Sequence, residues 1–152
     1  MDRPHIQGAH HIGLSVSNVD RSGSFYCDVL GATLVRPPYA GDSPSFMGRM
    51  AIVSLGTTGV DVFEHSAHAG DRFDPTRTGL DHIGFTCDSI DELRRWAAWL
   101  DAQAVARSDI RSIVAGDTEI GSMFDFSDPD GVQLEFLYLD RSSISQSALF
   151  RG

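Results

Sequence analysis

Two short stretches of this chain are copies of one another, and an internal repeat restricts the fold more than any single motif does. Ala9-His10-His11-Ile12-Gly13-Leu14 and Leu80-Asp81-His82-Ile83-Gly84-Phe85 share the core His-Ile-Gly, offset by 82 − 11 = 71 residues. A second pair recurs at nearly the same distance. Asp61 lies in Gly59-Val60-Asp61-Val62-Phe63 and Glu135 in Gln133-Leu134-Glu135-Phe136-Leu137, offset by 135 − 61 = 74 residues. Each half therefore opens with a histidine on an alternating, strand-like run and closes with a carboxylate on another.

Between these markers the two halves repeat one order of elements. His10–Val16 reads as a half-buried strand, with Ile12, Leu14 and Val16 on one face and His11, Gly13 and Ser15 on the other. From Asp20 a helix is expected, with Phe25, Tyr26, Val29 and Leu30 as its apolar stripe and Gly31 as its stop. Ala32–Arg36 reads as a short strand and Pro37–Gly48, rich in Pro, Gly and Ser, as a lid-like loop. Met50–Leu55 and Val60–Phe63 complete the half as strands.

In the second half Leu80–Cys87 alternates in the same way, with His82, Gly84 and Thr86 on the face away from Ile83, Phe85 and Cys87. Ser89-Ile90-Asp91-Glu92 fits a capping box ahead of the helical stripe Ile90, Leu93, Trp96, Ala97 and Leu100. Strands are expected over Ala104–Ser108, Ile120–Phe126 and Val132–Leu139. Asp109–Glu119 reads as a polar, mobile loop and Asp128–Gly131 as a turn. The expectation is an α+β chain of two tandem βαβββ modules, at 9–65 and 80–139, joined by a linker over 66–79 and followed by a polar tail over 140–152.

A chain of 152 residues can bury most of its apolar surface. Its net charge of −9 argues against broad nucleic-acid binding, which needs a basic face. No apolar run approaches a membrane span, and the N-terminus lacks the apolar core of a signal peptide. Cys27 and Cys87 show no metal-type spacing and read as reduced, packed thiols of a cytoplasmic protein.

The helices need an apolar sheet face, so His11 and His82 belong to the opposite one. Strand parity sends Asp61 and Glu135 there too. Two imidazoles and two carboxylates make a donor set suited to Zn, Ni, Co, Mn or Fe(II). A lone strand histidine is usually a satisfied core or rim residue, and it is the matched position, face and carboxylate in both halves that favour metal. His5, His10, His65 and His68 lack that symmetry and read as solvated loop histidines. Glu64, the rival to Asp61, falls on the helix side or at the strand end. Arg49, Arg77, Arg107 and Arg111 offer cations for an anionic substrate, but ordinary surface arginines are the better reading.

The two His-Ile-Gly strands, the run Asp128-Pro129-Asp130-Gly131-Val132-Gln133-Leu134-Glu135 and the repeated module order resemble the vicinal oxygen chelate superfamily over roughly residues 9–138. That superfamily includes glyoxalase I, methylmalonyl-CoA epimerase, fosfomycin- and bleomycin-resistance proteins and extradiol dioxygenases. The resemblance implies a cup-shaped, incomplete barrel, a homodimer, and His11, Asp61, His82 and Glu135 as ligands of a divalent metal. Asp61 stands where glyoxalase I-like members carry Glu and epimerases Gln. Extradiol dioxygenases place a tyrosine where this chain has Asp125 and a histidine upstream of it; none lies between His82 and Glu135, which counts against ring cleavage. No arginine lies on His11–Val16, so a glutathione substrate is unsupported. The activity implied is a metal-dependent lyase or isomerase of a small substrate with vicinal oxygens, working through a metal-stabilised enolate with Glu135 or Asp61 as base. The competing expectation is a non-catalytic binding or sequestration protein of the bleomycin-resistance type, its ligand lined by Phe46, Met47, Phe63, Met123 and Phe124.

Overall fold

The computed structural model describes residues 5–6, 8–43 and 46–146. Most of the expected N-terminal arm, Pro44 and Ser45 of the expected lid, and the tail beyond residue 146 lie outside them. The chain divides into two compact units, the boundary falling between Arg72 and Phe73. Each unit is a βαβββ module built on one four-stranded mixed sheet.

In the first unit the elements are β1 (His11–Ser15), α1 (Val19–Ser24) running into a π-helical turn (Phe25–Val29), β2 (Thr33–Ser43), β3 (Phe46–Leu55) and β4 (Thr58–His65). The strand order is β1-β4-β3-β2, with β1 and β4 parallel and the other pairs antiparallel. In the second they are β5 (His82–Thr86), α2 (Ile90–Ala102), β6 (Arg111–Ala115), β7 (Thr118–Ser127) and β8 (Gln133–Leu139), in the order β5-β8-β7-β6. A short α3 (Arg141–Gln146) follows. Midway through the linker the Phe73 N–H donates to the Asp130 carbonyl at 3.2 Å, which ties its second half to the second unit.

Apolar periodicity and capping set the helices on their sheets. Leu14, Val16, Val53, Val60 and Val62 are buried beneath Val19 and Tyr26 of the first helix, while His11, Gly13 and Ser15 stay exposed. Asn18 caps that helix, its Oδ1 accepting from the Arg21 N–H at 2.8 Å. Glu64 Oε2 accepts from the Val19 N–H at 2.9 Å, so this carboxylate lies on the helix side and serves the helix N-terminus. In α2, Ser89 Oγ accepts from the Glu92 N–H at 3.1 Å, and Glu92 reaches back to the Asp88 N–H at 2.6 Å. Leu93, Ala97 and Leu100 are buried, and Trp96 stacks on Phe136 with ring centroids 4.4 Å apart.

Three expectations fail, all at sheet edges. The lid-like loop Pro37–Gly48 is strand on both sides of residues 44–45, because β2 extends to Ser43 and β3 begins at Phe46. Its prolines fall in a register shift between Arg36 and Tyr39 on an edge strand, where no ladder N–H is needed. Asp109–Glu119, expected as a mobile loop, contains β6 and the turn at Gly116-Asp117. Conversely, Ala104–Ser108 forms no strand; Arg107 makes only an isolated bridge to Phe126.

The repeat extends to two glycines outside the His-Ile-Gly motifs. Gly48 on β3 and Gly121 on β7 each lie against the neighbouring strand so closely that a Cβ would overlap the carbonyl oxygen of Glu64 or Tyr138 respectively. Gly23, inside α1, has open space around the same position. We expect Gly121→Ala to destabilise the protein by about 1–3 kcal/mol through backbone displacement, and Gly23→Ala to stabilise it by about 0.5–1 kcal/mol through helix propensity. Urea unfolding midpoints moving in opposite directions would confirm the pair.

Candidate functional site

On the face opposite each helix, the first and last strands of a unit bring one histidine to one carboxylate. In the first unit His11 Nε2 lies 3.8 Å from Asp61 Oδ2, and in the second His82 Nε2 lies 3.7 Å from Glu135 Oε1. The carboxylate side chains are the better buried partners, 19% and 12% exposed against 51% and 42% for the histidines. At these separations neither pair is hydrogen bonded, so the facing donors remain available. Two such donors can share one cation at about 2.1 Å from each. The shorter Asp61 thus meets its histidine at nearly the same spacing as Glu135. Among the described residues, no group of three or more His, Cys, Asp or Glu is arranged to hold a metal ion.

The glycine of each His-Ile-Gly motif has a local explanation in the second unit. Gly84 pairs in register with Glu135, and a Cβ there would lie 2.9 Å from Glu135 Oε1. The missing side chain is the room in which the carboxylate turns toward His82. Gly13 pairs with Asp61 in the same way, but its neighbour is the Phe63 ring at 3.4 Å. The turn before β8 is equally specific. Asp128 is buried and its Oδ1 accepts from the N–H groups of Asp130 and Val132, both at 2.9 Å, while Gly131 takes φ +89°. This fixes where β8, and so Glu135, begins.

Both histidines have their second ring nitrogen engaged. His82 Nδ1 lies 2.6 Å from Asp81 Oδ1, and His11 Nδ1 lies 3.0 Å from His10 Nδ1. A carboxylate on Nδ1 holds the imidazole with Nε2 facing the candidate site, the arrangement commonly found behind metal-bound histidines. The Asp81 contact, then the charges of Glu135, Asp81 and Asp125, raise the His82 pKa above its ordinary 6.5, against a smaller opposing effect of burial.

The arginines and aromatics sort by face. Arg49 forks onto Asp20 at 2.7 and 3.1 Å, Arg77 meets Asp74 at 3.5 Å, and Arg107 forks onto Asp101 at 2.9 and 2.7 Å. Arg111 differs, because it joins Asp125 at 2.5 Å on the face that carries Glu135. The sequence grouped Arg111 with three other arginines and gave Asp125 and Asp81 no role at the site. The alternation Phe124-Asp125-Phe126 did carry a signal for Asp125, since both phenylalanines are buried and the carboxylate must face the other way. Of the expected ligand lining, Phe124 is core, Met47 is exposed, and Phe46 and Phe63 stack edge-on at 5.0 Å beside His65. Burial raises the Cys27 pKa and pushes the Cys87 thiol up to about 11; both cysteines are free. No helix of the described residues is long and apolar enough to cross a membrane.

Two βαβββ modules, each with a histidine and a carboxylate on the face away from its helix, define a glyoxalase-like protein. The family model for the Glyoxalase/Bleomycin resistance protein/Dioxygenase superfamily matches residues 8–136, and the chain belongs to that superfamily. It is 32% identical over 130 residues to the uncharacterized protein YaeR of Escherichia coli K12, covering 86% of this chain and 95% of that one. A glyoxylase/bleomycin resistance protein/dioxygenase domain from Frankia sp. EAN1pec superposes with a TM-score of 0.76 at 25% identity, over 89% of this chain and 99% of its own. The fosfomycin resistance protein FosX of Listeria monocytogenes, in a complex with Mn(II) and sulfate, shares the fold with a TM-score of 0.65 at 17% identity, over 93% and 99% of the two chains.

The Asp81 contact predicts the pH behaviour of the metal-free protein. Because the folded-state pKa of His82 lies above the ordinary value, the stability contributed by its protonated form is complete below about pH 6.5 and is lost as pH rises through the raised value. Asp81→Asn should bring the His82 titration, followed by NMR, back toward 6.5. An unchanged midpoint would show that Asp81 does not set it. Gly84→Ala should leave the fold intact, since only the side-chain ends of Glu135 and Leu137 must give way and no backbone is touched. It should weaken divalent-metal binding by tenfold or more, measured by calorimetry.

Proposed function

We propose that His11, Asp61, His82 and Glu135 together hold one divalent cation (Zn, Ni, Co, Mn or Fe(II)), and that the protein is a lyase or isomerase of a small substrate with two adjacent oxygens. The observation that carries this reading is the matched spacing of 3.8 and 3.7 Å between an imidazole Nε2 and a carboxylate oxygen in the two units. A cation bound there would polarise the adjacent oxygens of a substrate and acidify the neighbouring C–H bond. The chain's own residues supply the rest. His11 and His82 bind through neutral Nε2, with Asp81 fixing the His82 tautomer. Glu135, 12% exposed and free of any side chain at Gly84 beside its Oε1, is the group to leave its resting place and take a proton from the substrate carbon. Asp61 is the corresponding candidate in the first unit.

The second reading, a binding protein without chemistry, is favoured by the half-exposed aromatic group Phe46, Phe63 and His65 in the first unit, which offers a stacking surface for an apolar or aromatic ligand. One assay separates the two. Metal-loaded protein is incubated in D2O with dicarbonyls, 2-oxo acids and thioesters, and deuterium entry at the carbon beside the oxygens is followed by NMR. We expect exchange on at least one class, reduced about 10²–10⁴-fold in Glu135→Gln. His82→Ala and Glu135→Ala should lose the metal and keep their circular dichroism. Tight ligand binding with no exchange would leave the binding-protein reading standing, and metal retained in both alanine variants would remove the assignment.

A further inference from the structure

Across the second sheet a charged row runs through four strands: His82 on β5, Glu135 on β8, Asp125 on β7 and Arg111 on β6. Asp125 pairs directly with Glu135, and Arg111 pairs with Met123, two residues before Asp125 on the same face. Two carboxylates directly opposite one another on neighbouring strands repel, so the row needs a reason. The fold does not supply one. In the first unit the residue opposite Asp61 is Ile52, and the module is built equally well around it.

What Asp125 does is hold Arg111. Its Oδ2 meets Arg111 Nη1 at 2.5 Å, and Ser108 Oγ accepts from the same nitrogen at 3.2 Å and from the Asp125 N–H at 2.9 Å. This leaves Asp125 Oδ1 buried and without a hydrogen-bond partner, a cost that native structures rarely carry without a use. The guanidinium is thereby fixed through one corner. Its remaining N–H groups on Nη2 and Nε take no part in these bonds, and the side chain is 48% exposed. Arg107 is the contrast: all three of its nitrogens are committed to Asp101, Ala97 and Ser108, and it is only 20% exposed. A cavity of about 280 Å³ adjoins the row, lined in part by Ser108, Asp125, Ser127 and Gln133.

We propose that Arg111 is a specificity-determining residue whose free guanidinium edge binds an anionic group, a carboxylate, phosphate or phosphonate, on the substrate chelated beside His82 and Glu135. Asp125 is its positioning residue. This rests on the metal-chelating reading above and adds a substrate class to it: small acids with two adjacent oxygens at one end and an anion at the other. The planar fork, rather than the charge alone, is what matches such a group.

The test uses zinc-loaded protein and a pair of hydroxamates, each with two adjacent oxygens, one ending in a methyl group (butanohydroxamate) and one in a carboxylate (succinyl monohydroxamate). Calorimetry should show the carboxylate-ended probe binding about tenfold more tightly at low salt, with the preference shrinking as ionic strength rises. In Arg111→Gln the ratio of the two affinities should fall to near one, and in Arg111→Lys to an intermediate value. A purely structural role for Arg111 would lower both affinities together and leave the ratio where it was. Equal affinities in the unaltered protein, or a preference that survives Arg111→Gln, overturn the proposal while leaving chelation intact. If neither hydroxamate binds, the chelation reading fails and this one with it.

Discussion

Everything at the candidate site follows from the parallel pairing of the first and last strands of each module. Parallel neighbours in register present alternate residues to the same face. His11 and Asp61, or His82 and Glu135, are therefore delivered side by side by backbone hydrogen bonds alone. The same alternation sends Leu14, Val60 and Val62, or Ile83, Leu134 and Phe136, under the helix. Core and site are two faces of one ladder. A one-residue slip would exchange them, and burial of the apolar set forbids that slip.

Each charged group on the site face is held by something that the apolar face does not need. Asp81 fixes one nitrogen of His82, Gly84 makes room for Glu135, Asp128 begins β8 at a defined residue, and Asp125 holds Arg111 at the expense of an unpaired oxygen. These supports are concentrated in the second unit. In the first, the corresponding surface is partly apolar, with Ile52 in register with Asp61 and the Phe46–Phe63 pair nearby. The two modules share a scaffold and differ in what they can offer a ligand: one a charged edge, the other a stacking surface.

Central strands and helices were legible in the sequence because burial writes a period into them. The alternation of β1, β5 and β8, the Ser89–Glu92 cap and the turn at Asp128–Gly131 all stand where the residues placed them. Edge strands carry no such record. β2 admits two prolines because one side of it has no partner, and β6, Arg111-Ser112-Ile113-Val114-Ala115, is mostly exposed and so shows no clean alternation. Reading β6 as a loop hid the face on which Arg111 lies, since only a strand puts that side chain on the side of Glu135. The histidine and carboxylate of each unit were paired through the repeat; Asp125 had no assigned role and Arg111 was not separated from the other arginines, because the repeat does not contain them.

The proposed function requires one metal ion to depend on both the His11–Asp61 and the His82–Glu135 pair. Its most direct test is metal stoichiometry, by native mass spectrometry and elemental analysis of protein purified without an affinity tag or chelator and then titrated with Zn, Ni, Mn or Fe(II). Saturation is expected at one ion per chain, with Asp61→Ala and Glu135→Ala each weakening that same ion. Two independent ions per chain, each sensitive to one carboxylate only, or a chain that takes up no ion at all, would contradict it.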